Sequence, residues 1–246
     1  MSLRTKDWWP NEFKTMVALG ESTTAGGWSS SPERCWVPVL AALISDLQQN
    51  PVKCINSGIG ANLISTKSPQ YDASGKPAAT ERLEKHVFAH SPDLVLVSYG
   101  LNDSRSGTPL GLFREELTDV VRRIQEATSA LVVLLGPYYA VDFKRGGDLW
   151  GLGNLELLYE YNEAICQVAE IEQCLFVDIL AANGETDWMM HYDLVHANDL
   201  GHRIIANAVF QVLAQNCSGL SLHTKAIEHV APRWRDESVL KADYGH

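Results

Sequence analysis

Five short apolar runs, continuous rather than alternating, are separated by segments of helical periodicity. The runs are Thr15–Leu19, Val52–Asn56, Leu94–Ser98, Leu131–Leu135 and Leu175–Asp178. A strand that is apolar at every position is covered on both faces, which is the condition of a parallel sheet between helices. The helical segments between them are Pro32–Gln49, with Ser31 as cap and Pro32 at the first position, Ala79–Ala89, Leu112–Ala127 and Leu155–Glu170. A final helix is expected over Asn198–Gln215, with Leu200, Ile204, Ala208 and Val212 recurring on one face. Repeated strand–helix order implies right-handed crossovers. The expected fold is a three-layer α/β/α sandwich of flavodoxin-like type, with a five-stranded parallel sheet. Eight units would be needed for a barrel, and the chain supplies five.

The 246 residues suffice for one large domain. A single domain over 1–246 is expected, with 219–246 as a C-terminal extension that lacks a core pattern and packs over the domain or against another subunit. The formal net charge of -10 disfavours nucleic acid as a partner. The cysteines (Cys35, Cys54, Cys166, Cys174 and Cys217) are odd in number and widely spaced, and read as free, buried thiols. The segment from Met1 to Pro10 carries Trp8 and Trp9 but leads into no apolar stretch like a signal peptide, and no run approaches a membrane span, so a cytoplasmic, reduced protein is expected. Two long loops, Ser65–Ala78 and Tyr138–Asn154, are candidates for functional segments.

In an open parallel sheet, ligands bind beyond the C-terminal strand ends, where strand order reverses. Ser22 follows the first strand, Ser57–Asn62 the second and Gly100-Leu101-Asn102-Asp103 the third, while Asp193 and His196 follow the fifth. A serine becomes a nucleophile near neutral pH if a histidine takes its proton and a carboxylate fixes the tautomer. Ser22, His196 and Asp193 fit those roles. The oxyanion of a tetrahedral intermediate needs donors: the Asn102 amide and the backbone N–H groups of Ser22 and of the Gly60-Ala61 turn are available. Neither a metal nor an organic cofactor is called for. His191, Asp193, His196 and His202 can be imagined as metal ligands, but the same Asp and His are better used with Ser22. His202 is expected to pack, and Glu21 to act as a structural hydrogen-bonding residue. Gly26-Gly27 and Gly146-Gly147 lack the lysine and spacing of nucleotide-binding loops.

These blocks, Gly20-Glu21-Ser22-Thr23, Asn56-Ser57-Gly58-Ile59-Gly60-Ala61, Gly100-Leu101-Asn102-Asp103 and Asp193-Leu194-Val195-His196, together resemble the SGNH/GDSL hydrolase superfamily, the GDSL-like lipase/acylhydrolase family. The family's usual Asp and Leu of the first block are Glu21 and Thr23 here, and its oxyanion glycine of the second block falls on Ala61. The resemblance spans Leu19 to Gly201 and implies a serine esterase or acylhydrolase working through an acyl-enzyme. Its oxyanion would be held by the N–H of Ser22, an N–H of Gly60 or Ala61, and Asn102. The expected partner is a small-molecule ester, short-chain or carbohydrate O-acetyl esters being among the candidates. A thioesterase or lysophospholipase of the same fold is the alternative, and a catalytically silent binding module is the alternative from another class. Trp28, Tyr139 and Trp150 are read as packing residues. Tyr138 and the pair Trp188 and Met189, just before Asp193, are the pocket candidates.

Overall fold

The computed structural model describes residues 6–230 and 237–245. Residues 1–5 of the N-terminal segment, and 231–236 and 246 of the C-terminal one, lie outside the described residues. Five strands, β1 (Thr15–Gly20), β2 (Lys53–Gly58), β3 (Leu94–Ser98), β4 (Leu131–Leu135) and β5 (Leu175–Val177), form one sheet in the order β2-β1-β3-β4-β5, parallel throughout. In chain order the helices are α1 (Ser22–Ala25), α2 (Trp36–Ser45), α3 (Tyr71–Ser74), α4 (Ala79–His86), α5 (Leu101–Arg105) and α6 (Leu110–Ala127). They continue with α7 (Leu155–Ile171), α8 (Ile179–Asn183), α9 (Asp199–Asn216), α10 (Leu222–Ile227) and α11 (Ser238–Ala242).

Alternation along the central strands divides the core into two layers. Met16 and Ala18 of β1, Leu94 and Leu96 of β3 and Val133 of β4 pack with Trp36, Leu40 and Ile44 of α2 and Ile205, Val209 and Leu213 of α9. Val17, Leu19, Val95, Val97 and Leu134 face the other way, onto Leu83 of α4, Phe113, Val120 and Ile124 of α6, and Tyr161 and Ile165 of α7. A strand with both faces covered has no polar side to alternate with, which is why β3 and β4 read as unbroken apolar runs. The three-layer arrangement expected from the sequence is the one found.

Three local readings need correction. The helix expected from Pro32 begins at Trp36. Pro32–Arg34 is a 3₁₀ turn, Ser31 makes no side-chain cap bond, and Cys35 is extended. Pro38 is the reason: in a helix begun at Pro32 its missing N–H would break an interior hydrogen bond, whereas in the first turn of α2 that N–H has no partner to lose. The helix expected to Ala89 stops at His86 and gives way to a 3₁₀ turn over Phe88–His90. In α9 the buried face is one residue off the expected stripe: Gly201, His202, Ile205, Ala206, Val209 and Leu213 are inside, whereas Leu200 is exposed. Gly201, His202 and Ala206 share that face with Ile205, Val209 and Leu213, so its hydropathy is diluted beside the more apolar row that includes Leu200. Both long loops are largely irregular, interrupted by α3 and by a 3₁₀ turn over Asp148–Trp150.

All five cysteines are free, with Cys35, Cys174 and Cys217 buried and Cys54 and Cys166 half-buried. The segments preceding β1 and following α9 lie side by side. Trp8 N–H bonds to Asn216 O, Gly219 N–H to Trp9 O, and Asp7 accepts from Ser218. Among the described residues no helix is long and apolar enough to cross a membrane.

Candidate active site

Strand order reverses between β1 and β3, because β2 lies on one side of β1 and β3 on the other. Beyond this reversal the chain turns directly from β1 into α1 and from β3 into α5. Ser22 is the first residue of α1 and Asn102 the second of α5. The backbone N–H of Ser22 is among the first-turn donors that have no intrahelical acceptor. Gly100, at φ 123°, makes the turn out of β3 in a conformation that side chains other than hydrogen oppose. Gly58, at the end of β2, is required for a different reason: a Cβ there would lie 2.1 Å from Ala25 N, so α1 packs directly on its backbone. Asn56 strengthens that junction, donating to Thr24 O at 2.7 Å and accepting from Gly58 N–H at 2.9 Å.

His196 and Asp193 arrive from the loop between β5 and α9. Ser22 Oγ lies 2.8 Å from His196 Nε2, and His196 Nδ1 lies 2.7 Å from Asp193 Oδ2. The second oxygen of Asp193 accepts the N–H groups of Val195 and His196, both at 3.1 Å. Burial alone would push this carboxyl up, but the bonds from the His196 ring and these two N–H groups outweigh it and hold it below the usual carboxylate range. Burial also holds His196 below the usual imidazole range, against the opposite pull of Asp193. At neutral pH the site therefore holds an ionised carboxylate and an uncharged imidazole. The ring of Trp28 covers His196 face to face, with centroids 3.8 Å apart and planes 4° apart.

Ser22, Asn102, Gly60, Ala61, Asp193 and His196 all line one cleft of about 600 Å³. The Asn102 amide donates to Asn62 O at 3.2 Å. Two buried acids hold this corner. Glu21 accepts the N–H groups of Gly100 at 2.7 Å and Asn102 at 3.1 Å, one on each carboxylate oxygen, so it ties the turn after β1 to that after β3. Burial and the proximity of Asp103 push Glu21 up to about 8, against those two hydrogen bonds. Asp103 accepts from Ile64 N–H, Ser68 and Thr108, and burial pushes it up to about 7. The structural hydrogen-bonding part expected of Glu21 is thus what its geometry displays. Backbone strain gathers here too: Trp28, Ala61 and Leu194 are three of the six non-glycine residues with left-handed φ among the described residues.

The chain of bonds from serine through histidine to aspartate, on a flavodoxin-ordered sheet, accords with a comparison of the whole sequence. The model of the GDSL-like lipase/acylhydrolase family matches residues 18–204. The chain belongs to this family. Several solved structures share the fold. A lipase/acylhydrolase from Enterococcus faecalis is 21% identical, with a TM-score of 0.66 over 82% of this chain and 96% of the other. An acetylxylan esterase from Geobacillus stearothermophilus is 21% identical, with a TM-score of 0.62 over 82% and 95%. An alpha/beta hydrolase from the metagenome of Lake Arreo, Spain, is 20% identical, with a TM-score of 0.63 over 87% and 98%. At these identities the likeness is one of fold. No curated protein matches the sequence.

Within this family frame, the expected pocket residues lie elsewhere. Tyr138 is buried, donates to Met189 O at 2.7 Å and borders a separate void of about 20 Å³. Trp188 is 74% exposed, and neither it nor Met189 lines the cleft. The aromatic walls are Trp28, Trp150 and Tyr192 instead. Trp28 and Trp150, read from sequence as packing residues, carried no signal that distinguished them from core aromatics. Arg105 also lines the cleft, and this position was legible: it follows Asn102 by three residues on a helix, hence on the same face. His202 is buried in α9 and accepts a 3.4 Å bond from Trp36 N–H. Among the described residues no group of three or more His, Cys, Asp or Glu side chains is arranged to hold a metal ion.

Proposed function

We propose that the chain is a serine carboxylic ester hydrolase with Ser22 as nucleophile, His196 as general base and acid, and Asp193 as its orienting carboxylate. The observation that carries this reading is the continuous relay from Ser22 Oγ to His196 Nε2 at 2.8 Å and from His196 Nδ1 to Asp193 at 2.7 Å. The uncharged imidazole is in the form that accepts a proton.

Ser22 Oγ attacks the ester carbonyl carbon as its proton passes to His196 Nε2, and the carbonyl oxygen becomes an oxyanion. The N–H of Ser22, an N–H of the Gly60-Ala61 turn and the Asn102 amide are the donors for that charge, a reading supported by the fact that all four residues line the cleft. The bond from carbon to the leaving oxygen then breaks, and His196 returns its proton to the departing alcohol. Water attacks the acyl-enzyme by the same path, its proton going to His196 and then to Ser22 Oγ, leaving a carboxylic acid. Departures from the usual family residues are compatible with this chemistry. Glu21 bridges two backbone donors beside Asn102, and Ala61 adopts the left-handed turn with its N–H retained. The fold shared with an acetylxylan esterase favours short acyl groups such as acetyl among the esters to try first.

Hydrolysis of p-nitrophenyl acetate tests the reading. The wild type is expected to turn it over, and Ser22→Ala to lose at least roughly 10³-fold in kcat/KM. Equal rates in the two proteins would assign the chemistry to another residue.

A further inference from the structure

The chain as a whole is acidic, with a formal net charge of -10, yet the wall of its cleft is basic. Lys76, Arg105 and Arg145 line it together with Ser22 and His196, and the one carboxylate among its described lining residues, Asp193, has both oxygens engaged by Val195 and His196. Arg105 is the unusual member. It is 5% exposed, and among the described residues it makes no ion pair. Its Nη2 donates to Arg145 O, and its Nε–H is buried without a partner. The acids that act on it from a distance are Glu21, Asp142 and Asp193. Arg82 is likewise buried and without an ion pair among the described residues, its Nη2 donating to Ser57 O and Tyr99 Oη and its Nε and Nη1 without partners, but it does not line the cleft; Arg105 is the buried guanidinium that does. Burying a guanidinium without a carboxylate is costly, and an anion that docks against it recovers much of that cost. Lys76 and Arg145, both exposed and without ion pairs among the described residues, extend the same charge to the cleft mouth.

We infer that the cleft receives esters that carry a second, anionic group, a carboxylate or a phosphate, held by Arg105 with Arg145 and Lys76. This rests on the serine hydrolase reading for the ester itself. Arg105 shares a face of α5 with Asn102, which places the anion receptor beside the oxyanion donor. A guanidinium N–H is a permanently charged donor that suits both anions.

Two matched pairs of esters separate the anions and the side of the ester that carries them. Mono-p-nitrophenyl succinate against p-nitrophenyl butyrate places a carboxylate on the acyl side. 4-Acetoxyphenyl phosphate against 4-acetoxyanisole places a phosphate on the leaving side. In at least one pair the anionic member is expected to exceed the neutral one in kcat/KM by about tenfold or more, and that ratio to fall by about tenfold in Arg105→Gln. Arg145→Gln and Lys76→Gln, which alter exposed side chains, should lower it by smaller factors. Absence of preference in both pairs overturns the inference and leaves the hydrolase reading standing. A loss of equal size on both members in Arg105→Gln also overturns it, because a residue that only braces the loop carrying Arg145 acts in that way. Failure to cleave any of the four esters counts against the hydrolase reading, and the anion site is then judged by binding. Succinate or inorganic phosphate, titrated into Ser22→Ala, should give a saturable change in tryptophan fluorescence from Trp28 and Trp150 that Arg105→Gln abolishes. No change, or the same change in both proteins, refutes the site.

Discussion

Trp28 lies on His196 as one plate on another, ring centroids 3.8 Å apart and planes within 4°. It reaches this position from a left-handed backbone, φ 71°, while remaining 45% exposed on its outer side. An indole face stabilises a cation above it, by about 0.5 to 2 kcal/mol according to exposure. His196 becomes that cation each time it holds the Ser22 proton. Trp28→Ala should therefore lower kcat roughly 3- to 30-fold, with Trp28→Phe closer to the wild type. Unchanged kcat in Trp28→Ala, measured on p-nitrophenyl acetate, would reduce the stack to packing.

The histidine also sets the acid limb of activity. Only its uncharged form accepts the serine proton, and burial holds its pKa below 6.5. The acid limb of the rate should accordingly be centred below pH 6.5. Asp193→Asn removes the contribution that raises the imidazole pKa, so the limb should move further toward acid, while the plateau falls by roughly 10³- to 10⁴-fold through loss of the correct tautomer. A limb centred above 6.5 in the wild type contradicts the assignment.

His202 gives a pH dependence of stability rather than of rate. Burial lowers it from 6.5 to about 4. The unfolded chain takes up its proton at 6.5 and the folded chain only near 4. Stability from this group is thus complete above 6.5 and lost as pH falls through that window, to a total of up to about 3 kcal/mol. Glu21 and Asp103, raised to about 8 and 7, act in the opposite sense, since their folded forms retain protons that the unfolded chain has lost. A difference curve isolates the imidazole. In urea titrations between pH 6.5 and 4, the wild type should lose stability that His202→Gln does not, and parallel curves for the two would refute the assignment.

Ala61 occupies a left-handed turn at φ 55°. The strain of about 1 to 2 kcal/mol that a side chain meets there is partly offset in the alanine protein by a less flexible unfolded chain. Ala61→Gly should therefore be neutral or stabilising, by up to about 1 kcal/mol, with its cleft N–H and the hydrolysis rate preserved. A clear downward shift of the urea midpoint, as a helix-interior glycine produces, is the contrary result.

The layers of this fold were readable because β1, β3 and β4 are buried on both faces and their apolar runs tolerate no polar interruption. Ser22 and Asn102 could be placed because strand ends and helix starts fix where such side chains emerge, whereas Asp193 and His196, on the loop before α9, were placed by the spacing of the Asp-x-x-His block. What escaped depended on how loops bend back. Nothing in the residues around Trp28 distinguishes an indole that stacks on His196 from one that fills a core. Tyr138, a pocket candidate from sequence at the start of a long loop, turns its hydroxyl inward to Met189 O. The buried face of α9 differs from the expected stripe because Gly201 and His202, which hydropathy ranks low, belong to it with Ile205, Val209 and Leu213. Arg105 has a signal in its spacing from Asn102, but nothing in the sequence marks α5 as a helix buried along its whole length.

Ser22 and His196 meet across 174 residues of chain. A ribosome that has released the serine, β1 and even β3 and β4 has still to deliver the loop after β5 and the helix α9 that anchors it. Parallel strands joined by crossovers cannot close such a gap locally. During synthesis the serine therefore spends most of its time as an ordinary hydroxyl, and its histidine arrives only with the final third of the protein.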